Sequence, residues 1–298
     1  HVADLLIANG CKVFIADNLS HGKKENINSK ATFYETDINS KKIEDIFSCN
    51  RIDAIIHLAA QINARASLKK PIFDAEANIL GSLNLLECSR KHNVKKFVFA
   101  SSAAVYGEPE YLPYDELHPI NPINSYGVSK HAVEHYLYLY HKLYGMDYAA
   151  LRYANVYGPR QNPEGEAGVI SIFINNMLNN QPLVVYGDGN QTRDFIFVED
   201  VAKATFLALS RKTKSKIINI STNKEASINQ VLEILKLFST NGIRLIYTKP
   251  QPGDPMHIRL DNSAAKKELF WEPTVAIEEG LEKTADYYKR LNQTILSV

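Results

Sequence analysis

The stretch from Lys96 to Lys130 constrains this chain more than any other part of it. An apolar run, Phe97-Val98-Phe99-Ala100, leads into Ser101-Ser102-Ala103-Ala104-Val105-Tyr106-Gly107. A proline-bearing segment later comes Ser125-Tyr126-Gly127-Val128-Ser129-Lys130, which opens a tyrosine-rich helical pattern. Read physically, a buried strand delivers Ser102 at its carboxyl end, and a following helix delivers Tyr126 and Lys130. The spacing of Tyr126 and Lys130 places them one above the other on one helix face.

A free phenol, with a pKa of about 10, is a poor base at neutral pH. A neighbouring ammonium favours the phenolate, and a positively charged cofactor ring favours it further. Ser102 would hydrogen-bond the same hydroxyl that Tyr126 deprotonates. Such a site suits oxidation of an alcohol beside a hydride acceptor. A Tyr-x-x-x-Lys pair by itself recurs in helices with no chemistry attached. The serine-rich strand end before it, and the acidic strand end of Lys12-Val13-Phe14-Ile15-Ala16-Asp17, lift it above that background.

Together these residues resemble the extended short-chain dehydrogenase/reductase family and, within it, the sugar-nucleotide 4-epimerases. The resemblance runs from His1 to about Ala285, and a second signature, Gln191-Thr192-Arg193-Asp194-Phe195-Ile196-Phe197-Val198-Glu199-Asp200-Val201, supports it. It implies an α/β fold: a doubly wound, Rossmann-type parallel sheet with a smaller C-terminal α/β substrate region. Residues 1–160 would bind NAD, and residues 161–298 would form the substrate region, interleaved with the sheet. In such a fold a strand and a glycine-rich turn precede the first helix, here His1 to Asn9. Neither is in this sequence, so the numbering is expected to begin inside a longer chain, or the protein to be a truncated one with a gap in its sheet.

Asp17 sits where an acid bonds the adenosine ribose hydroxyls, which selects NAD over NADP; the alternative is a turn aspartate before Asn18. Asn18 to Gly22 would wrap the ribose, and Asp37-Ile38 would flank the adenine by resemblance. Leu58, Ala59, Ala60 and Gln61 match the family's cofactor-lining segment, and the small residues permit close backbone approach. His57 reads as a packed, structural histidine. Arg65 and Ser67 could reach substrate or be solvated. Ile72 to His92 reads as one long helix, with Asn78 either on its cofactor side or on the surface. The resemblance further implies that Tyr126, Lys130 and Tyr153 border the nicotinamide and that Asn155 bonds the nucleotide diphosphate. The helix from Val169 to Asn179 would turn its positive end towards phosphate.

Tyr186 is placed to contact the uridine or its ribose, and Arg193 offers a planar fork for a diphosphate. Asp254, in Gln251-Pro252-Gly253-Asp254, would bind the nucleotide ribose; Gln251 stands where the family usually has an arginine. Asp200 reads as the cap of the next helix. The tyrosine-rich helix implies a homodimer by resemblance only.

The reaction implied is C4 epimerisation of a UDP-sugar of the UDP-glucose/UDP-galactose type, through a transient 4-keto sugar, with catalytic Ser102, Tyr126 and Lys130. Ala103 and Ala104 follow Ser102, so the carboxylates of a dehydratase or decarboxylase are lacking. A UDP-glucuronate 4-epimerase is the alternative enzyme, and a non-catalytic NAD-binding protein the alternative of another class. A formal net charge of +1 gives no nucleic-acid or membrane footprint. Cys11, Cys49 and Cys88 lack metal-ligand spacing, so no metal is expected and a reducing cytoplasm is.

Overall fold

The run Lys96–Ser102 carries apolar side chains without alternation, the pattern of a strand covered on both faces. Phe97, Val98 and Phe99 are indeed each 1% exposed or less. The computed structural model describes residues 1–163, 168–239, 242–250 and 255–296. Its strands are β1 (Phe14–Asp17), β2 (Thr32–Glu35), β3 (Ala54–His57), β4 (Lys96–Ser102), β5 (Asp147–Tyr153), β6 (Asn155–Tyr157), β7 (Leu183–Tyr186), β8 (Thr192–Arg193), β9 (Phe195–Phe197), β10 (Ile217–Ile220), β11 (Ala226–Ser227) and β12 (Leu245–Thr248). Its α-helices are α1 (Val2–Ala8), α2 (Lys42–Cys49), α3 (Ala64–Lys69), α4 (Pro71–Ala75), α5 (Gly81–Lys91), α6 (Ser125–Tyr144), α7 (Val169–Leu178), α8 (Val198–Ser210), α9 (Ile228–Phe238), α10 (Ser263–Leu269) and α11 (Ile277–Leu296).

Four parallel strands, in the order β10-β5-β4-β3, form the main sheet. Parallel neighbours need long crossovers: α3 to α5 lie between β3 and β4, α6 between β4 and β5, and α7 and α8 between β5 and β10. This is the doubly wound, Rossmann-type α/β arrangement. Phe97 and Phe99 face one core with Ile43, Leu86, Val133 and Leu137 from α2, α5 and α6. Val98 faces the other with Leu151, Ala204, Ile218 and Trp271. β1 and β2 pair in parallel as a separate sheet. Among the described residues no strand is hydrogen-bonded between β1 and β3, and Ile15, Ala16, Ile55 and Ile56 are only half-buried. A third core, built on Phe173, Ile174, Leu183, Leu232 and Tyr288, holds α7, β7, α9 and α11 together.

Two local expectations change in detail. The helix expected over Ile72–His92 is α4 and α5 joined by a π turn, Glu76–Leu80, a distortion that recurs at functional sites. The chain from Asp147 to Tyr157 runs as two strands, β5 and β6, parted at Ala154. Asp200 is not a cap, because α8 already begins at Val198; its carboxylate instead accepts from the backbone N–H groups of Thr274 and Val275, each at 3.0 Å. Trp271 Nε1 donates to the Asp200 carbonyl at 3.0 Å, so this turn anchors the chain beyond α10. Ser227 caps α9, in a reciprocal capping box with Gln230. No helix among the described residues is long and apolar enough to cross a membrane.

Candidate active site

The site is built where β4 ends and α6 begins. Asn124 caps α6 by accepting from Gly127 N–H at 2.9 Å. The fully buried Ser67 accepts from Tyr126 N–H at 3.0 Å and donates to the Ala64 carbonyl at 2.7 Å. Ser67 thus seats the first turn of α6 rather than reaching into solvent. A Cβ at Gly127 would lie 2.4 Å from the Ala104 carbonyl oxygen, so only glycine lets the helix come this close to the segment after Ser102.

These supports bring the expected trio together. The Ser102 hydroxyl lies on the Tyr126 side of the site, near enough to favour the phenolate. Lys130 Nζ lies 5.7 Å from the Tyr126 ring centroid and donates to the Ala100 carbonyl at 2.8 Å. The electrostatics differ from the expectation that the ammonium acidifies the phenol. Burial pushes Tyr126 up to about 12, with the Ser102 hydroxyl opposing and the Asp74 charge reinforcing. Burial pulls Lys130 down to about 7, against the pull of Asp74. Withdrawal from water outweighs the proximity of the pair, because both charged forms lose hydration at once.

Ser102, Tyr126 and Lys130 line a cleft of about 460 Å³ with Leu58, Tyr153, Asn155 and Val169. The hydroxyls of Tyr153 and Thr205 are 2.7 Å apart, and Asn155 N–H donates to the Asp194 carbonyl at 2.9 Å. Val169 is the first residue of α7. Sequence reasoning missed the far wall, Val198, Val201 and Ala202 on α8. Their i, i+3, i+4 spacing marks a helix face but not what it faces.

The residues expected around adenosine cluster at the ends of β1 and β2. Asp17 Oδ1 accepts from Leu19 N–H at 2.7 Å, and Asn18 Nδ2 donates to Asp37 Oδ2 at 2.7 Å. Asp37 also accepts from Asn39 N–H, which holds its carboxyl below the usual range. Ile38 lies against Gly81, where a Cβ would come within 2.5 Å of it. Ala59 and Ala60 follow β3, half-buried. Gln61 N–H donates to Asn78 Oδ1 at 2.7 Å, and Asn78 Nδ2 returns a bond to the Gln61 carbonyl at 2.9 Å. Asn78 is 2% exposed, so its amide serves this internal latch. His57 is likewise internal: its Nε2 lies 2.8 Å from Ser82 Oγ, and burial holds it neutral, down to about 3.

Tyr186 and Arg193 are not among the residues lining the cleft. The Arg65 guanidinium lies 5.2 Å from the Tyr186 ring centroid, and Arg193 Nη1 donates to the Thr192 carbonyl at 2.7 Å. Asp254 and Gln251 lie outside the described residues. Among the described residues no group of three or more His, Cys, Asp or Glu side chains is placed to hold a metal ion.

Residues 1–221 match the NAD dependent epimerase/dehydratase family. The chain belongs to that family. A Methanocaldococcus jannaschii protein, provisionally named UDP-glucose 4-epimerase, is 49% identical over 295 residues, covering 99% of this chain and 96% of its own. The UDP-glucose 4-epimerase of Thermotoga maritima, solved with UDP-glucose, superposes with a TM-score of 0.95 at 43% identity, covering 98% of this chain and 95% of its own. That of Thermus thermophilus, solved with NAD, superposes with a TM-score of 0.92 at 37% identity, covering 97% and 94%.

The residues of this family member fit the dinucleotide. A Cβ at Gly22 would lie 3.3 Å from Asp17 Oδ1, so glycine keeps the approach to that carboxylate open. Leu58 presents 46% of its surface at the cleft, an apolar platform for a flat ring.

Proposed function

We propose that this protein is an NAD-dependent isomerase that inverts C4 of a UDP-sugar of the UDP-glucose/UDP-galactose type through a transient 4-keto sugar. The observation that carries the reading is the convergence of Ser102, Tyr126 and Lys130 on one cleft. When bound, NAD supplies the hydride acceptor and donor and a cationic ring that favours a phenolate.

In this reading Ser102 and Tyr126 both hydrogen-bond the sugar 4-hydroxyl, and Tyr126, as the phenolate that a bound cofactor's cationic ring and the Lys130 ammonium would favour, takes its proton. The high resting affinity of Tyr126 for a proton suits it to hold that proton and return it after the sugar has turned over in the pocket. Lys130, fixed on the Ala100 carbonyl, orients the cofactor side of the cleft. Asp17 receives the adenosine ribose, with Asn18, Asp37 and Ile38 around the base, and Leu58 to Gln61 with Tyr153 line the ring. Residues 1–160 thereby hold NAD. Residues 161–298, together with Asn155, hold the nucleotide: Asn155 and the α7 terminus at Val169 serve the diphosphate, Tyr186 and Arg193 the parts beyond it, and Asp254 the nucleotide ribose. A homodimer through α6 is supported by its exposed Tyr138, Leu139, Leu143 and Tyr144. A cytoplasmic location is supported by three free cysteines, Cys11 and Cys49 of them exposed.

The test is to incubate the full-length protein with UDP-glucose, UDP-N-acetylglucosamine or UDP-glucuronate and to follow C4 by NMR. UDP-glucose is expected to yield UDP-galactose. Inversion of UDP-glucuronate alone would replace the substrate, and inversion of none by NAD-loaded protein would leave a binding protein.

A further inference from the structure

Asp74, on α4, is 1% exposed. Its Oδ1 accepts from the side-chain amides of Gln61 at 2.8 Å and Asn78 at 3.2 Å, while its buried Oδ2 has no hydrogen-bond partner. Both partners of Oδ1 are donors. A buried anion so poorly solvated is costly and persists where another interaction offsets the cost.

The interaction lies across the helix boundary. Asn78 Nδ2 reaches both Asp74 Oδ1 and Ser129 Oγ, the latter at 3.0 Å, and Ser129 directly precedes Lys130. Ser129 Oγ donates in turn to the Tyr126 carbonyl at 3.0 Å. Asp74 is therefore wired to the one turn of α6 that holds Tyr126 and Lys130. Its charge acts on both of them, favouring the ammonium of Lys130 and disfavouring a phenolate at Tyr126. The other groups facing the pair are Ser102 on β4 and the neutral His57 on β3. Arg65 and Lys69 on α3 and Glu76 in the π turn are exposed, while Glu134 and Arg152 are paired with each other.

We propose that Asp74 is a positioning residue for the Tyr126–Lys130 pair, its buried carboxylate bringing negative charge to the pair's side of α6 and, through Asn78 and Ser129, locking the α4–π-turn segment onto the first turns of that helix. This rests on the roles given above to Tyr126 and Lys130. The Asp74 charge opposes the loss of charge that burial imposes on Lys130, so more of the lysine is ammonium at neutral pH than burial alone would leave.

Asp74→Asn keeps the shape and removes the charge. Lys130 is then followed by ¹³Cε-lysine NMR, its resonance assigned by its absence in Lys130→Met. The Lys130 midpoint is expected to fall by roughly one unit, the lower end of what a close opposite charge does. The alkaline limb of the kcat/KM profile should move down with it. Ser129→Ala breaks the bridge but spares the charge, and is expected to lower kcat while leaving the Lys130 midpoint in place. If Asp74→Asn shows no cooperative thermal transition, Asp74→Ser removes the same charge with a smaller side chain and takes its place. A folded variant whose Lys130 midpoint is unmoved overturns the proposal. The NMR midpoint does not depend on turnover. A protein that inverts no UDP-sugar yet shows the shift would sink the reaction and leave the role of Asp74 standing.

Discussion

Beneath the cleft, Arg152 on β5 and Glu134 on α6 form an ion pair in which both side chains are 2% exposed. Arg152 Nε and Nη2 donate to Glu134 Oε1 and Oε2 at 2.9 and 2.7 Å, and Ser101 Oγ donates to Oε1 at 2.6 Å. His131 Nδ1 lies 3.1 Å from Oε2. The pair ties α6 to the sheet one helical turn beyond Lys130. Arg152→Met retains bulk and leaves Glu134 as a buried carboxylate with a weakened set of partners. Burial alone pushes that carboxyl up, but the Arg152 hydrogen bonds, followed by that of His131, outweigh it and hold it from 4.5 down to about 2. At about 1.4 kcal/mol per unit, that drop corresponds to about 3 kcal/mol of stability at neutral pH. Breaking one side of a buried pair costs about 3–5 kcal/mol, and the two routes agree.

The assay is urea unfolding followed by circular dichroism at a series of pH values. Arg152→Met is expected to lose about 3–5 kcal/mol at pH 7. Because a depressed carboxyl stabilises the fold above its unfolded pKa and loses that contribution as pH falls through its folded one, the deficit should narrow as the pH drops from about 5 towards 3. Replacing both residues, as Arg152→Met with Glu134→Leu, should recover most of the loss, since no lone charge is left inside. A single-variant cost under about 1 kcal/mol, or a double variant no better than the single, would refute the reasoning.

Two further perturbations address the site itself. Tyr126→Phe is expected to cut UDP-glucose inversion by on the order of a hundredfold or more with unchanged thermal stability, and steady-state turnover near the parent rate would remove Tyr126 from its role. Gly127→Ala should destabilise the protein by about 1–3 kcal/mol and lower turnover, because its Cβ would meet the Ala104 carbonyl at 2.4 Å and Pro122 at 2.9 Å, outweighing the roughly 1 kcal/mol of helix propensity gained. A variant that melts higher than the parent would show that α6 can retreat without cost.

Much of the architecture is readable before any coordinates, for reasons that particular residues make plain. Phe97 to Ala100 do not alternate, and a strand that is apolar on both faces has to be central and parallel. The π turn at Glu76–Leu80 is not readable in the same way. Nothing in its residues marks an extra residue per turn, and Asn78 within it bonds Gln61, which lies 17 residues away in sequence. Arg193 and Tyr186 show the same limit. Their chemistry suits a nucleotide, but where each side chain points depends on Thr192 and Arg65.

The trio at the site divides along the same line. Helical spacing is local, so Tyr126 above Lys130 follows from the sequence, and the strand end places Ser102 opposite them. The protonation of the trio is not local. Proximity of an ammonium favours the phenolate, but here the cost of burying charge is the larger effect: it raises Tyr126 and drains charge from Lys130. The group that speaks to both is Asp74, on another helix and joined through Asn78 to Ser129. No pattern of spacing around Tyr126 could name it. A short run of residues can thus identify which atoms meet, but the charge those atoms carry is decided by what covers them, and that is a property of the folded chain.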